Sequence, residues 1–243
     1  TGFVALQMAM FEASSGRNDF SQQGRFKLAH PSGKVYAYND EELVQCLEKE
    51  YKASDFFLIA CEPNWIYPLC NMMGASAILA YDSLRNNAKW CQHSSDFRRY
   101  LEAEFLDAFG RYVPCRSALT GLALPSIGGA MPLAMPCFFL NAIAPDLALR
   151  QWLLLRRQLF DKHCQFRHQA FWRIDTGNYG FSRASAYLAT ALAAAELGDE
   201  EVYINCISAL EKECPSQLQE GVIHRRYASV WSHGVEMMAR ATT

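Results

Sequence analysis

Apolar residues recur at helical spacing in a succession of short segments, each closed by a capping or breaking residue, and this rhythm most constrains the fold. Phe3, Leu6, Met10 and Ala13 share a helical face that Gly16 ends. Asn39 or Asp40 caps a helix to about Tyr51, Pro68 opens one over residues 68–86, and Ser94 or Ser95 caps one to about Phe109. Leu147 to His163 follows Pro145 with Trp152, Leu155 and Leu159 inward. Arg183 to Leu197 is alanine-rich and ends at Gly198; Asp199 or Glu200 starts a helix that Pro215 stops, and Tyr227 to Arg240 is the last. Only Arg25 to Asn39 alternates, around Pro31-Ser32-Gly33, as a hairpin does. Eight or nine helices, one short β-hairpin and no Rossmann or Walker glycine pattern predict an all-α chain, a single domain over residues 1–243. The compact joint Leu197-Gly198-Asp199-Glu200-Glu201 is common in stacked helical hairpins and α/α toroids.

Ser117 to Pro145 carries no charge, but Pro125, Pro132 and Pro136 with Gly121, Gly128 and Gly129 would break a membrane helix and leave backbone groups unpaired in lipid. An irregular apolar wall with a short helix near Leu133–Ala142 is expected, lining something rather than spanning a bilayer. A formal charge of −2 gives no footprint for nucleic acid. Thr1 enters its helix in mid-course and no charged segment precedes an apolar one as in a secretory signal, so the start reads as cut: a processed protein, or only the ordered part of a longer polypeptide.

Chemistry concentrates in Cys61-Glu62-Pro63-Asn64-Trp65-Ile66-Tyr67-Pro68-Leu69-Cys70-Asn71, a prolyl turn between the apolar run Phe56–Ala60 and a long apolar helix. In one continuous helix the two sulfurs would lie roughly 13 Å apart. Pro63 and Pro68 argue against that, so the chain can fold back and aim both thiols at one cavity. Cys70 falls in the first helical turn, where free N–H groups and the helix dipole favour an anion, so its thiol is expected to lose its proton readily. Two buried structural thiols, or a disulfide, are the alternatives. The nine cysteines include no CxxC pair; mostly reduced thiols are expected, which favours a reducing compartment and no zinc site.

Other candidates are weaker. Asp175 or Tyr179, in Asp175-Thr176-Gly177-Asn178-Tyr179-Gly180, could project into a cavity or serve only a turn. His224-Arg225-Arg226-Tyr227 could bind an anion or open a solvated helix. His163 and His168 lack i,i+4 metal spacing, His30 reads as surface, and Glu62 as a buried acid or a local cap.

Cys61-Glu62-Pro63-Asn64 with Cys70-Asn71 resembles the signature of the linalool dehydratase/isomerase family. Thr1-Gly2-Phe3 with Leu6, Met8 and Phe11-Glu12, Tyr81-Asp82, Gly177-Asn178-Tyr179-Gly180-Phe181, and Gly198-Asp199-Glu200-Glu201 extend the likeness over most of the chain, which corresponds to the later part of a family member. The resemblance implies an (α/α)6 barrel, incomplete in this chain and lacking an N-terminal part, in a homo-oligomer or completed by a second segment. It also implies a small terpenoid-like substrate and cofactor-free dehydration, isomerisation or, by the same equipment, cyclisation. Cys61 and Cys70 match the family's active-site cysteines; Phe3, Glu62, Asn64, Tyr67, Asp175 and Tyr179 are candidate substrate contacts. Phe3 stands where the family has a histidine, and the family's Asp and Tyr from the preceding region have no counterpart. Outside that class stand a non-catalytic helical toroid binding an apolar ligand or protein partner, and a carbohydrate-active toroid, which would need two facing carboxylates.

Overall fold

The computed structural model describes residues 1–125, 129–173 and 181–242. Those residues hold nine α-helices and a few short antiparallel strands, divided between two compact units. The first comprises Thr1–Leu106 and Cys115–Ala123, the second Asp107–Pro114 and Leu124–Thr243.

In the first unit, α1 (Gly2–Ser15) ends at Gly16, whose left-handed backbone (φ 69°) returns its N–H to the Glu12 carbonyl. Strands β1 (Phe26–Ala29) and β2 (Val35–Tyr38) form the expected hairpin. Helix α2 (Asp40–Ala53) starts with a full capping box: the Asn39 side chain accepts from Glu42 N–H and the Glu42 side chain accepts from Asn39 N–H. Strands β3 (Ala60–Glu62) and β4 (Trp65–Ile66) come next, with Asn64 in the left-handed region (φ 69°) at their turn. Helix α3 (Pro68–Arg85) opens on its proline, and α1, α2 and α4 (Lys89–Glu104) pack against it. Strand β5 (Arg116–Ser117) pairs with β4, making a three-stranded sheet around the cysteine turn.

Helix α4 begins five residues before the serines expected to cap it. The Asp82 carboxylate of α3 accepts from Trp90 N–H at 2.7 Å, and Trp90, His93, Phe97 and Leu101 are buried along one stripe. The cap therefore comes from the preceding helix. Close α1–α3 packing relies on glycine: a Cβ on Gly2 would stand 3.0 Å from the Gly74 Cα. Arg85 closes this unit with ion pairs to Glu12 and Asp40.

In the second unit, α7 (Ala184–Glu196) is buried on nearly every side, as a helix apolar all round must be. It packs against α5 (Ala130–Ile143), α8 (Glu200–Glu213) and α9 (Val230–Thr242), while α6 (Pro145–Leu159) packs on α5. The Asp199 side chain caps α8 by accepting from Val202 N–H, and also receives Arg156 at 2.7 Å and the Trp152 indole at 3.1 Å. The charge-free stretch supplies α5, longer than expected and mostly buried despite Pro136 within it. No described helix is long and apolar enough to cross a membrane.

The sequence predicts one hairpin; the structure also has the sheet around Cys61 and a second hairpin, β6 (Ser216–Gln219) with β7 (Val222–Arg225). Positive φ at both Glu220 and Gly221 marks its tight turn. Arg225, expected to be solvated or anion-binding, is instead buried at 5 % exposure between Glu236 and Glu211, at 2.5 and 2.6 Å.

Candidate functional site

The prolyl segment folds back as the spacing predicts. Cys61 lies in β3 and Cys70 in the first turn of α3, and both line one hollow, close enough that Cys61 acts on the Cys70 thiol. Both are free, as are the other seven cysteines. The pair opens on a hollow of about 380 Å³, inside the usual range for small-molecule sites. Phe3, Leu47, Ile59 and Ala60 give it an apolar side; Thr1, Glu50, Tyr51 and Asn71 give it a polar one.

The electrostatics depart from expectation. Burial above all, then the neighbouring Cys61 and the charge of Glu62, pushes the Cys70 thiol up to about 12. A backbone hydrogen bond at the helix start does pull the other way, but it is the smallest of these influences. Cys70 is thus a thiol that keeps its proton, not the easily ionised one its helical position suggests.

Of the other expected residues, Phe3 lines the hollow, while Glu62, Asn64 and Tyr67 stand beside the pair without lining it. Tyr67, just before α3, donates its hydroxyl to Glu62 at 3.3 Å. Burial and then the Glu62 charge raise the Tyr67 hydroxyl to about 12. Asn64 holds the turn to β5: its Oδ1 accepts from the Ser117 hydroxyl at 2.9 Å and from Leu119 N–H at 2.8 Å. Cys115 is close enough that burial, Glu62 and Cys61 raise its thiol as well. Asp175 and Tyr179 fall outside the described residues. Among the described residues no cluster of three or more His, Cys, Asp or Glu could hold a metal ion, at His163 and His168 or elsewhere.

Three residues that the sequence did not single out complete the site. Glu50 brings a carboxylate to the rim, one turn along α2 from Cys46. Tyr51, fully buried, donates to the Asn71 carbonyl at 2.8 Å; burial, then Cys70 and Glu50, raises its hydroxyl far above the ordinary value. Gly74 gives it room, since a Cβ there would lie 2.5 Å from the Tyr51 oxygen. A lone glycine inside an apolar helix was the available signal for that close approach.

No curated protein matches the chain closely enough to count as a relative. Residues 1–231 match the family model described as linalool dehydratase/isomerase, over a stretch that includes the two thiols and the hollow they face. The chain therefore belongs to the linalool dehydratase/isomerase family, a membership that supports a lyase or isomerase activity.

Proposed function

We propose that the hollow takes a terpenoid-like alcohol or alkene and that Cys61 and Cys70 perform cofactor-independent acid–base chemistry on it. The observation that carries this is a pair of free thiols, one kept protonated by burial and one exposed, at the wall of a ligand-sized hollow. Cys70 gives its proton to the substrate hydroxyl; the C–O bond breaks, and its electron pair leaves with water. The apolar side of the hollow shields the resulting allylic cation from water. Cys61, as thiolate, removes a proton from carbon, and that C–H pair becomes the new double bond. Proton return from Cys61 to Cys70, which faces the same hollow, restores the starting state. The sum is alcohol to alkene plus water; re-addition of water at the other allylic carbon gives isomerisation, and protonation of an alkene opens a route to cyclisation.

Phe3, Glu62, Asn64, Tyr67, Asp175 and Tyr179 belong to this proposal as substrate-side residues: Phe3 through direct contact, Glu62 through the charge it places beside the thiols, and Tyr67 through its hydrogen bond to Glu62. The proposed architecture is one α/α toroid domain, incomplete in this chain and completed by a further segment or a second copy.

Cys61→Ala, Cys61→Ser, Cys70→Ala and Cys70→Ser, assayed on acyclic terpene alcohols, test the chemistry. Loss of turnover by a factor of about 10² or more in each folded variant is expected for a positioned proton-transfer group. Full turnover by both folded single variants removes the thiol mechanism.

A further inference from the structure

Asn71 directly follows Cys70, yet the chemistry above gives it no step. Its side chain is buried, at 3 % exposure, and all of its polar capacity is spent on backbone. Oδ1 accepts from Ile59 N–H at 2.7 Å; Nδ2 donates to the Ile59 carbonyl at 3.0 Å and to the Tyr67 carbonyl at 2.9 Å. One amide thus grips both polar groups of Ile59, two residues before Cys61, and ties them to the start of α3, where Cys70 sits. The sheet does not do this work at Cys61: the β3–β4 register shifts between Ala60 and Glu62, leaving Cys61 at an irregularity. Ile59 is therefore a fixed point close to the Cys61 sulfur. The Tyr51 hydroxyl donates to the Asn71 main-chain carbonyl at 2.8 Å, a contact separate from the three made by the carboxamide.

We infer that Asn71 is a positioning residue: its carboxamide sets the relative placement of the Cys61 and Cys70 sulfurs by clamping the Cys61 strand to the Cys70 helix. Only an amide side chain offers a neutral acceptor and two donors in that small space. Aspartate loses both donors, and leucine loses all three contacts. The catalytic consequence rests on the thiol chemistry proposed above; the placement itself does not.

The test uses dibromobimane, which fluoresces strongly once it has bridged two neighbouring thiols, on the chain with exposed Cys46 and Cys91 replaced by serine. Peptide mass mapping assigns the bridge to Cys61 and Cys70, and turnover is measured in parallel. In Asn71→Leu, bridging is expected to slow by about tenfold or more and kcat to fall while KM stays near native, because small misplacements of reacting groups cost that much. Tyr51→Phe removes a buried hydrogen bond of the same helix but leaves the clamp, so it bridges within about twofold of native. Native-rate bridging in folded Asn71→Leu overturns the inference, as does equal slowing in Tyr51→Phe. If Asn71→Leu does not fold, Asn71→Asp carries the same expectation; failure of both to fold overturns it, since the amide then serves the whole fold rather than the pair. The expected bridging pattern in a chain that turns over no terpene alcohol leaves the clamp standing and removes the proposed function instead.

Discussion

Replacing Gly74 by alanine sets a general helix rule against one contact. In an open helix interior the change stabilises by about 1 kcal/mol, because glycine loses more backbone freedom than alanine. Here the new Cβ would stand 2.5 Å from the Tyr51 hydroxyl oxygen, a distance such a pair cannot hold. The ring has little freedom to retreat. It is 1 % exposed, stacks on Phe57 at 5.9 Å and meets the Phe97 edge at 5.9 Å. Overpacking of this kind costs about 1–3 kcal/mol. Displacing the hydroxyl from the Asn71 carbonyl adds about 1–3 kcal/mol for stranded buried polar groups. Against the gain of about 1 kcal/mol, the net is a loss of about 1–5 kcal/mol, measured by urea unfolding. Tyr51→Phe is the decisive partner. Without the oxygen, the nearest ring carbon is at 3.6 Å, ordinary contact, so Gly74→Ala in that background is expected to be neutral or to stabilise by up to about 1 kcal/mol. Destabilisation by Gly74→Ala that is the same with and without the Tyr51 hydroxyl would refute the contact as its cause.

Cys70 keeps its proton up to about pH 12, so at pH 8 only about 10⁻⁴ of it is thiolate, against roughly a quarter of an ordinary thiol. Iodoacetamide at pH 8 is expected to modify Cys46 and Cys91 well before Cys70 in a mass-mapped time course; early Cys70 labelling contradicts the burial argument. Because the folded chain holds that proton more tightly than the unfolded one, the associated stability is complete below about pH 9 and drains away as pH rises toward 12, in urea midpoints compared between native and Cys70→Ala protein. Arg225→Ala leaves buried Glu236 with only the half-exposed Arg240 as a cation partner and is expected to destabilise by about 1–3 kcal/mol, whereas Arg225→Met with Glu236→Leu recovers most of it. A single-variant loss under about 0.5 kcal/mol in the same titration would mean that Arg240 and water compensate the carboxylate in full.

Local chemistry was the legible part of this chain. Gly16, Asn39 with Glu42, Pro68 and Asp199 each set a helix boundary through contacts with residues no more than four away, and each boundary lies within a residue or two of its expected place. Cap and breaker rules act over that range. The start of α4 was not legible because its cap, Asp82, belongs to the previous helix. The sheet around Cys61 was hidden for a similar reason. Its strands are two or three residues long, and β5 comes from some fifty residues downstream, so no alternation can build up. The β6–β7 hairpin did carry a signal in Glu220-Gly221, outweighed by the helical pattern that begins at Tyr227. Arg225 reads as a surface cation until Glu211 and Glu236, fourteen back and eleven on, are brought onto it.

The fold-back of residues 61–70 was foreseeable from two prolines; the protonation of Cys70 was not, because it depends on a balance. A helix start favours a thiolate, and the backbone hydrogen bond at Cys70 does act in that direction. Folding the chain back to bring the thiols together also buries Cys70 and sets it beside a second sulfur and the Glu62 carboxylate, and each of these disfavours negative charge. The geometry that makes the pair therefore also decides which form Cys70 takes. A sulfur held as S–H is a weak nucleophile, so attack on carbon to form a thioether is disfavoured at Cys70. An alcohol oxygen that must leave as water needs a proton donor, and Cys70 has a proton to give. A thiol raised this far is a weak acid, so in the proposed chemistry it must give that proton as the C–O bond breaks rather than before it.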